Sequence, residues 1–169
     1  MGKMPEFRER IKSTDFHIVA VVETWTTDAL LDSELQLDGY DMYHEDKLSG
    51  KGGGILLYVK NSLKSVCFSK LASIGFEQSV SCTVTLNNTE LLIGKCYRSP
   101  SSCAENSKKW LQLLEVAVTE SRLSNIMIIG DFNYPDIDYA GYFVNAGPQS
   151  EQQIFFDKTQ DLFLFQHVN

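Results

Sequence analysis

Runs of apolar residues predict where the strands of this chain lie. FHIVAVV at 16–22 is a nearly continuous apolar run, and IMII at 126–129 is apolar throughout. Both are rich in β-branched residues, a pattern typical of strands that are covered on both faces. Each run ends at polar residues, so we expect two buried central strands that present polar side chains at their carboxyl ends. Ile55 to Val59 predicts a further strand directly after the three glycines at 52–54, which mark a tight turn or a close backbone approach.

A hairpin is predicted in the middle of the chain. Ser79 to Leu86 and Glu90 to Cys96 flank Asn87 and Asn88, and asparagine suits the left-handed backbone that a tight hairpin turn requires. One more strand is predicted to begin within Leu164 to Val168.

Apolar residues spaced three and four positions apart predict the helices. The first covers Met4 to Lys12, the second follows Pro100, and the third covers Gln149 to about Asp161. The apolar face of the second helix is formed by Trp110, Leu113, Leu114 and Ala117, and that of the third by Phe155, Thr159 and Leu162. Five or six strands with two or three helices, some strands joined by hairpins, indicate an α+β sheet architecture.

Composition narrows the class of protein. A chain of 169 residues with 43% hydrophobic residues fits one soluble globular domain. The formal net charge is -7, which argues against a module that binds nucleic acid only by neutralising phosphates. An enzyme that acts on phosphates is still compatible with this charge, because a bound divalent cation supplies positive charge locally.

The sequence also bears on location. The apolar runs are far shorter than the ~20 residues of a membrane helix, and MGKMPEFRERIKS resembles neither a signal peptide nor a myristoylation site. We therefore expect an intracellular protein, nuclear or cytoplasmic, that is not secreted and has no membrane partner. The four cysteines show no C-x-x-C pairing, which favours reduced thiols over a zinc site.

Polar residues at the ends of the two buried strands are the candidates for chemistry. Glu23 follows the first strand, and Asp131 and Asn133 follow the second. In an extended chain Asp131 and Asn133 share one face while Phe132 points the other way into packing. Taken singly, each has another explanation: Glu23 is a solvated carboxylate at a strand end, and G-D-x-N is also good Asx-turn chemistry.

Together these residues suit phosphate chemistry with a metal ion. Mg²⁺ takes one or two carboxylates and keeps positions for water and a phosphate. An aspartate orients or deprotonates a water, and a neutral asparagine donates hydrogen bonds to a phosphoryl oxygen. Tyr97, which ends the strand before YRSP and is followed by Arg98, places a hydroxyl at the same edge; the alternative is an aromatic ring that only packs there.

Four motifs in order carry a family resemblance: ETW at 23–25, GGGILLYV at 52–59, YRSP at 97–100 and GDFNYPDIDY at 130–139. With them the chain resembles the endonuclease/exonuclease/phosphatase superfamily, and within it the endonuclease domain of non-LTR, LINE-type retrotransposons of the jockey kind. The resemblance implies a four-layer α/β sandwich of the DNase-like type, formed by a single domain over residues 1–169.

The resemblance also implies roles for the four residues. Glu23 would bind the metal, Mg²⁺ or Mn²⁺. Tyr97 would contact the scissile phosphate, Asp131 would hold or activate the attacking water, and Asn133 would help to bind the phosphate. The reaction would be cleavage of a DNA phosphodiester, the nick that primes reverse transcription by a polymerase domain of the same chain in full-length relatives.

The chain departs from the family pattern at both ends. The first strand with its Asn and the last strands with their Ser-Asp-His motif have no counterpart in 1–169, and none of His17, His44 and His167 lies in that context. We therefore expect an incomplete domain with impaired cleavage and uncovered sheet edges through which it self-associates. Two alternatives stay open: a catalytically dead remnant that acts as a binding or self-associating module, and a phosphomonoesterase of the same fold.

Overall fold

The computed structural model describes residues 4–22, 24, 32–45 and 54–167, the side chain of Asp32 excepted. The strands are β1 (Ile18–Val22), β2 (Tyr40–Glu45), β3 (Ile55–Lys60), β4 (Ser65–Cys67), β5 (Ser79–Leu86), β6 (Thr89–Tyr97), β7 (Asn125–Asp131), β8 (Ile137–Asp138) and β9 (Phe143–Val144). The helices are α1 (Met4–Thr14), α2 (Asp32–Leu35), α3 (Ser69–Ala72), α4 (Ala104–Thr119) and α5 (Glu151–Asp161).

The strands form two main sheets. The first has the order β1-β3-β2 and is antiparallel throughout. The second has the order β4-β5-β6-β7, in which β6 and β7 are parallel and the other pairs antiparallel. β8 and β9 form a small separate ribbon.

Alternating side chains of these strands build three cores and four layers. On β3, Leu56 and Tyr58 pack with Ile11 of α1, while Leu57 and Val59 face the second sheet. On the second sheet, successive side chains of β6 likewise point alternately into the layer between the two sheets and into the outer core under α4 and α5. The order helix, sheet, sheet, helix confirms the α+β sandwich of the DNase-like type that the sequence predicts.

Several predicted elements are confirmed. The hairpin of β5 and β6 turns at Asn87 and Asn88, whose φ angles are 49° and 62°. α1 and α5 match the predicted helices, and α5 begins after Ser150, whose side chain accepts a hydrogen bond from the Gln153 backbone N–H. The predicted face of α4, from Trp110 to Ala117, is buried.

Three expectations are wrong. β1 and β7 lie at the ends of the strand orders and not at their centres, and neither strand contains a fully buried residue. Leu164 to His167 forms no strand, and Val168 lies outside the described residues. The number of strands was underestimated, because β2 carries few apolar residues and β4, β8 and β9 are too short to show a period.

Gly130 allows β7 to lie close to β6 just before the polar residues begin. A Cβ atom at this position would lie 2.0 Å from the carbonyl oxygen of Cys96 on β6, and no side chain fits within that distance of a backbone atom. The glycine of GDFN therefore has a packing reason: it brings the carboxyl ends of β6 and β7 together.

Two further observations concern the other predictions. Cys82 and Cys96 are buried, whereas Cys67 and Cys103 are exposed, and all four are free thiols. None of the helices in the described part of the chain combines the length and apolar composition required to cross a bilayer.

Candidate active site

The parallel pairing of β6 and β7 brings two of the predicted site residues together. Tyr97 lies directly opposite Asp131, the last residue of each strand. Because both strands run in the same direction, their carboxyl ends meet at one edge of the sheet. Tyr97 is buried and Asp131 is exposed, so the carboxylate reaches solvent beside a ring that is held in packing.

Asn133 joins this pair through a turn and not through an extended strand. Its φ is 52°, its backbone N–H donates to Asp131 Oδ1 at 3.1 Å, and its Nδ2 donates to the Arg98 carbonyl oxygen at 2.7 Å. The prediction of extended alternation is therefore wrong at Asn133, where the Asx-turn geometry is present. Phe132 points into packing as predicted, with its ring centroid 4.8 Å from that of Trp110.

Arg98 fixes both sides of this turn. Its backbone N–H donates to the Asp131 carbonyl oxygen at 3.0 Å, and its own carbonyl accepts the Asn133 amide. The guanidinium is buried, pairs with Glu151 at the start of α5, and lies 4.4 Å from the ring centroid of Tyr134. A charge-assisted hydrogen bond in a buried setting is stronger than one in water, so α5 and the GDFN turn are tied to the end of β6.

Ser107 of α4 completes this arrangement. Its hydroxyl lies 3.2 Å from Nη2 of Arg98 and donates to Glu151 Oε2 at 3.0 Å. Burial raises the pKa of the neighbouring Tyr134 to about 12, so the ring beside the guanidinium stays neutral. The sequence pointed to Arg98 only as the neighbour of Tyr97; the pattern gave no sign of Glu151 or Ser107.

Lys95 is a second buried cation near this edge. It lies two residues before Tyr97 on the face of β6 that also carries Ile93, a residue of the layer between the sheets. Its exposed fraction is 3%. Burial lowers the pKa of Lys95 to about 8, against smaller opposing effects of Cys96 and Asp131. Sequence reasoning missed Lys95, because a lysine inside a strand is usually exposed.

Gln78 links the two sheets at the same end of the molecule. Its backbone carbonyl accepts the Tyr97 N–H at 3.1 Å, and its buried side-chain Oε1 accepts the Gly54 N–H at 2.7 Å. The Gly54 carbonyl in turn accepts the Thr24 N–H at 3.4 Å. Three of the four sequence motifs thus converge through one glutamine that sequence reasoning did not identify.

Glu23, the predicted metal ligand, lies outside the described residues, as do Trp25 and the first two of the three glycines. β1, which ends one residue before Glu23, contacts β7. Within the ranges that the structure describes, no three side chains of His, Cys, Asp or Glu cluster as a metal site.

Asp136 and Asp138 form hydrogen bonds within the segment between β7 and α5. Asp136 Oδ2 accepts a hydrogen bond from Gln152 at 3.0 Å, and Asp138 Oδ1 accepts the Gly141 N–H at 2.7 Å. Both carboxylates therefore stabilise the segment between β7 and α5.

A groove of about 730 Å³ opens over the end of β7. Asp131, Asn133 and His167 line it together with Pro100 and Tyr139. His17 accepts the Lys60 N–H at its carbonyl, and His44 belongs to β2. In the described part of the chain, His167 is thus the histidine that lines this groove. Because His17, His44 and His167 lie outside the Ser-Asp-His context, we expect none of them to act as the catalytic base.

Comparisons with known proteins identify the family and the fold of the chain. The model of the Endonuclease/Exonuclease/phosphatase family matches residues 5–160. A search of the curated proteins returned no match to the sequence.

Solved structures share the fold at low sequence identity. The endonuclease domain of TRAS1, a telomere-specific non-LTR retrotransposon, superposes with a TM-score of 0.65 at 10% identity over 94% of this chain and 64% of that one. The 3′ phosphatase NExo from Neisseria, bound to a product DNA hairpin, superposes with a TM-score of 0.60 at 16% identity. The match covers 95% of this chain and 66% of that one. The human Nocturnin catalytic domain superposes with a TM-score of 0.53 at 16% identity, over 87% of this chain and 59% of that one. The chain therefore spans about 64% of the TRAS1 domain and 59% of the Nocturnin domain.

The Arg98–Glu151 pair predicts that two glutamates contribute unequally to the free energy of unfolding. We expect Glu151→Gln to lower the free energy of unfolding by about 2 kcal/mol, because it leaves a buried guanidinium without its carboxylate. Glu115→Gln removes a carboxylate that pairs with Lys158 at 3.1 Å on the surface, and should cost less than about 1 kcal/mol. Urea denaturation followed by circular dichroism compares them; equal losses would contradict the role of the Arg98 pair.

Lys95 predicts a dependence of stability on pH. Below pH 8 both folded and unfolded chains hold its proton, and the folded chain bears the cost of the buried ammonium. Between the folded pKa of about 8 and the ordinary 10.5 the unfolded chain binds more protons, so the Lys95 contribution to stability rises with pH. The excess stability of Lys95→Met over the wild type should therefore fall by about 3 kcal/mol from pH 7 to 10.5.

The measurement is a series of urea denaturations at pH 7, 8, 9, 10 and 10.5 in the presence of a reductant. Lys108→Met, which changes an exposed lysine of α4, is the matched control, and its difference from the wild type should not change with pH. If the difference in stability between Lys95→Met and the wild type also stays constant with pH, Lys95 titrates as an ordinary lysine.

Proposed function

The chain belongs to the Endonuclease/Exonuclease/phosphatase family, and we propose that the edge formed by β6 and β7 is the active site of a metal-dependent nuclease that cleaves DNA phosphodiester bonds. One observation carries the proposal. Tyr97, Asp131 and Asn133, which come from two strands and the following turn, meet at one sheet edge beside an open groove.

Each residue has a task that its geometry supports. The Asp131 carboxylate is held by the Asn133 N–H at Oδ1 and is exposed, so it is able to accept a proton from a water in the groove. The Asn133 amide has two N–H donors, of which one is bonded to the Arg98 carbonyl. The other is able to donate to a phosphoryl oxygen, and Tyr97 lies across from Asp131 to contact the same phosphate.

The donor set fits a hard divalent cation, Mg²⁺ or Mn²⁺. The groups at this edge are oxygens, with an exposed carboxylate on Asp131, and such ions need only one or two carboxylates besides water and phosphate. Glu23 would hold the ion, as the family resemblance implies. When bound, the ion polarises a phosphoryl oxygen as a Lewis acid.

DNA is the proposed substrate because of two neighbours of the same fold: TRAS1 is a retrotransposon endonuclease, and NExo was solved with a DNA product. In that setting the chain would nick target DNA in the nucleus for a reverse transcriptase domain of a full-length relative. NExo is a 3′ phosphatase, so cleavage of a phosphomonoester at the same site is the neighbouring possibility.

The proposal predicts Mg²⁺-dependent nicking of supercoiled plasmid by residues 1–169. We expect Asp131→Ala and Glu23→Ala to lower the rate by about 10²-fold or more, since each removes a group that acts at the reacting phosphate. Asp161→Asn, which changes an exposed carboxylate at the end of α5, should leave the rate unchanged. The measurement is gel separation of supercoiled and nicked plasmid, with Mg²⁺ and with EDTA.

Nicking that survives Asp131→Ala or EDTA would come from a contaminating enzyme and would overturn the assignment. An oligonucleotide with a 3′ phosphate, tested beside the plasmid, distinguishes a phosphatase: release of phosphate without nicking would replace the endonuclease proposal by the phosphomonoesterase.

A second candidate function is favoured by the position of β7. β7 ends the strand order of its sheet, and Met127 on it is 46% exposed. A strand with unpaired backbone groups and an exposed apolar side chain is a template for pairing with another copy. The non-catalytic alternative is therefore a module that self-associates through β7.

Self-association predicts a concentration-dependent dimer in sedimentation velocity. Met127→Lys should shift the chain to monomer, because a charged side chain on an edge strand opposes pairing. Val66→Lys places the same charge at an exposed position of β4, at the other end of the sheet order, and should leave the dimer intact. A monomer at all concentrations, with nicking activity, would exclude this module.

A further inference from the structure

Cys67 and Cys82 are directly opposite each other on neighbouring strands. The register of β4 and β5 pairs Cys67 with Cys82. The neighbouring pair of Phe68 and Ser81 is joined by a backbone hydrogen bond of 2.9 Å. Because hydrogen-bonded and non-hydrogen-bonded pairs alternate along an antiparallel ladder, the two cysteines form a non-hydrogen-bonded pair.

This type of pair brings the sulfur atoms within bonding reach. Opposite residues of a non-hydrogen-bonded pair have Cα atoms about 4.5 Å apart, and disulfides span Cα distances of roughly 4.4–6.8 Å. Both side chains point to the same face of the sheet, and that face carries Cys82 into the layer between the sheets. The usual backbone spacing of such a pair is therefore compatible with a disulfide.

Hydrogen bonds beside the two cysteines show which part of the first sheet covers them. Tyr43 of the first sheet donates to Ser65 Oγ at 2.9 Å, and Ser65 donates to Asp41 at 2.7 Å. Burial raises the pKa of Tyr43, and Cys82, Asp41 and Cys67 each add to the rise. Tyr43 therefore lies over the face of β4 that carries Ser65 and, two residues further on, Cys67.

The two thiols differ in access. Cys67 is exposed on β4, the end strand of its sheet, whereas Cys82 has an exposed fraction of 0%. Burial raises the pKa of Cys82 to about 12, with further rises from Cys67 and Asp41. An oxidant in solution thus meets Cys67, and Cys82 lies behind it as the partner that forms the bond.

We propose that Cys67 and Cys82 are a dithiol modification site, which a hydroperoxide oxidises to a reversible disulfide between β4 and β5. The site does not rest on the proposed nuclease activity, because β4 and the catalytic edge at β7 lie at opposite ends of the strand order.

The reaction proceeds in two balanced steps. The Cys67 sulfur takes one oxygen from hydrogen peroxide as the O–O bond breaks, which gives a sulfenic acid and one water. The Cys82 sulfur then attacks the Cys67 sulfur, the S–S bond forms as the S–O bond breaks, and hydroxide leaves as water with the Cys82 proton. Two thiols are oxidised and one peroxide is reduced to two waters. The second step is the slower one, because Cys82 holds its proton.

The test treats the reduced chain of 169 residues with hydrogen peroxide, alkylates the remaining thiols after unfolding, and maps the peptides by mass spectrometry. We expect a Cys67–Cys82 linked peptide, two alkylated thiols at Cys96 and Cys103, and full reversal by dithiothreitol. Dimedone added early should trap the sulfenic acid at Cys67. Urea unfolding of the oxidised chain should have a higher midpoint than that of the reduced chain, because the bond restricts the unfolded state.

Variants separate this site from ordinary thiol oxidation. Cys103→Ser, which removes the other exposed thiol, should leave the linked peptide unchanged. Cys82→Ala should leave the sulfenic acid at Cys67 without a partner and allow oxidation to sulfinic acid. The proposal is overturned if the wild type shows Cys67 sulfinic acid without a linked peptide, or disulfides only between chains. The wild-type peptide map decides this even if Cys82→Ala does not fold.

Discussion

The buried guanidinium of Arg98 is the interaction on which the candidate site depends. An ionised group with 5% of its side chain exposed requires a partner, since an unpaired buried charge is prohibitively costly. Glu151 supplies that partner from α5, Ser107 from α4 supplies a hydroxyl, and Tyr134 supplies the face of its ring. The backbone of the same residue is bonded to Asp131 and Asn133. The helices of the outer layer thus help to determine where the polar residues after β7 lie.

The second constraint is the close approach of β6 and β7. Gly130 leaves no room for a side chain against the Cys96 carbonyl, and Tyr97 then faces Asp131 across the pair. Gln78 extends this order to the other sheet through its bonds to Tyr97 and Gly54. A site formed at the ends of two closely packed strands is preorganised by that packing, which is what the proposed electrostatic stabilisation of a phosphoryl group would require.

The family assignment and the site geometry support each other at different levels. The family model places the chain in the Endonuclease/Exonuclease/phosphatase family, and the solved structures share its fold, but fold alone does not determine a substrate. The held carboxylate, the amide donor and the phenol at the edge are the groups that the proposed phosphate chemistry would use. The net charge of -7 is consistent with this chemistry, provided that a divalent cation supplies the positive charge beside the substrate.

Local pattern was sufficient for much of the fold. The apolar runs determined β1, β3 and β7, the asparagine pair determined the turn of the hairpin, and the spacing from Trp110 to Ala117 determined the buried face of α4. These features depend on neighbours in sequence, so the sequence contains them. The polar residues after the strands likewise identified Tyr97, Asp131 and Asn133 as candidates. The short strands β8 and β9 gave no period, and β2 too few apolar residues to be recognised.

Only the tertiary structure decided how these pieces meet. Whether β1 and β7 are central or terminal in their sheets depends on which strands pair, and both carry apolar residues because they pack against the cores even at a terminal position. Glu151 is 53 positions from Arg98 along the chain, and no local pattern announces such a contact. The same holds for the buried Lys95, for Gln78 between the sheets, and for Cys67 opposite Cys82. The sequence by itself determined which residues are suited to phosphate chemistry, and long-range packing decided which of them share a site.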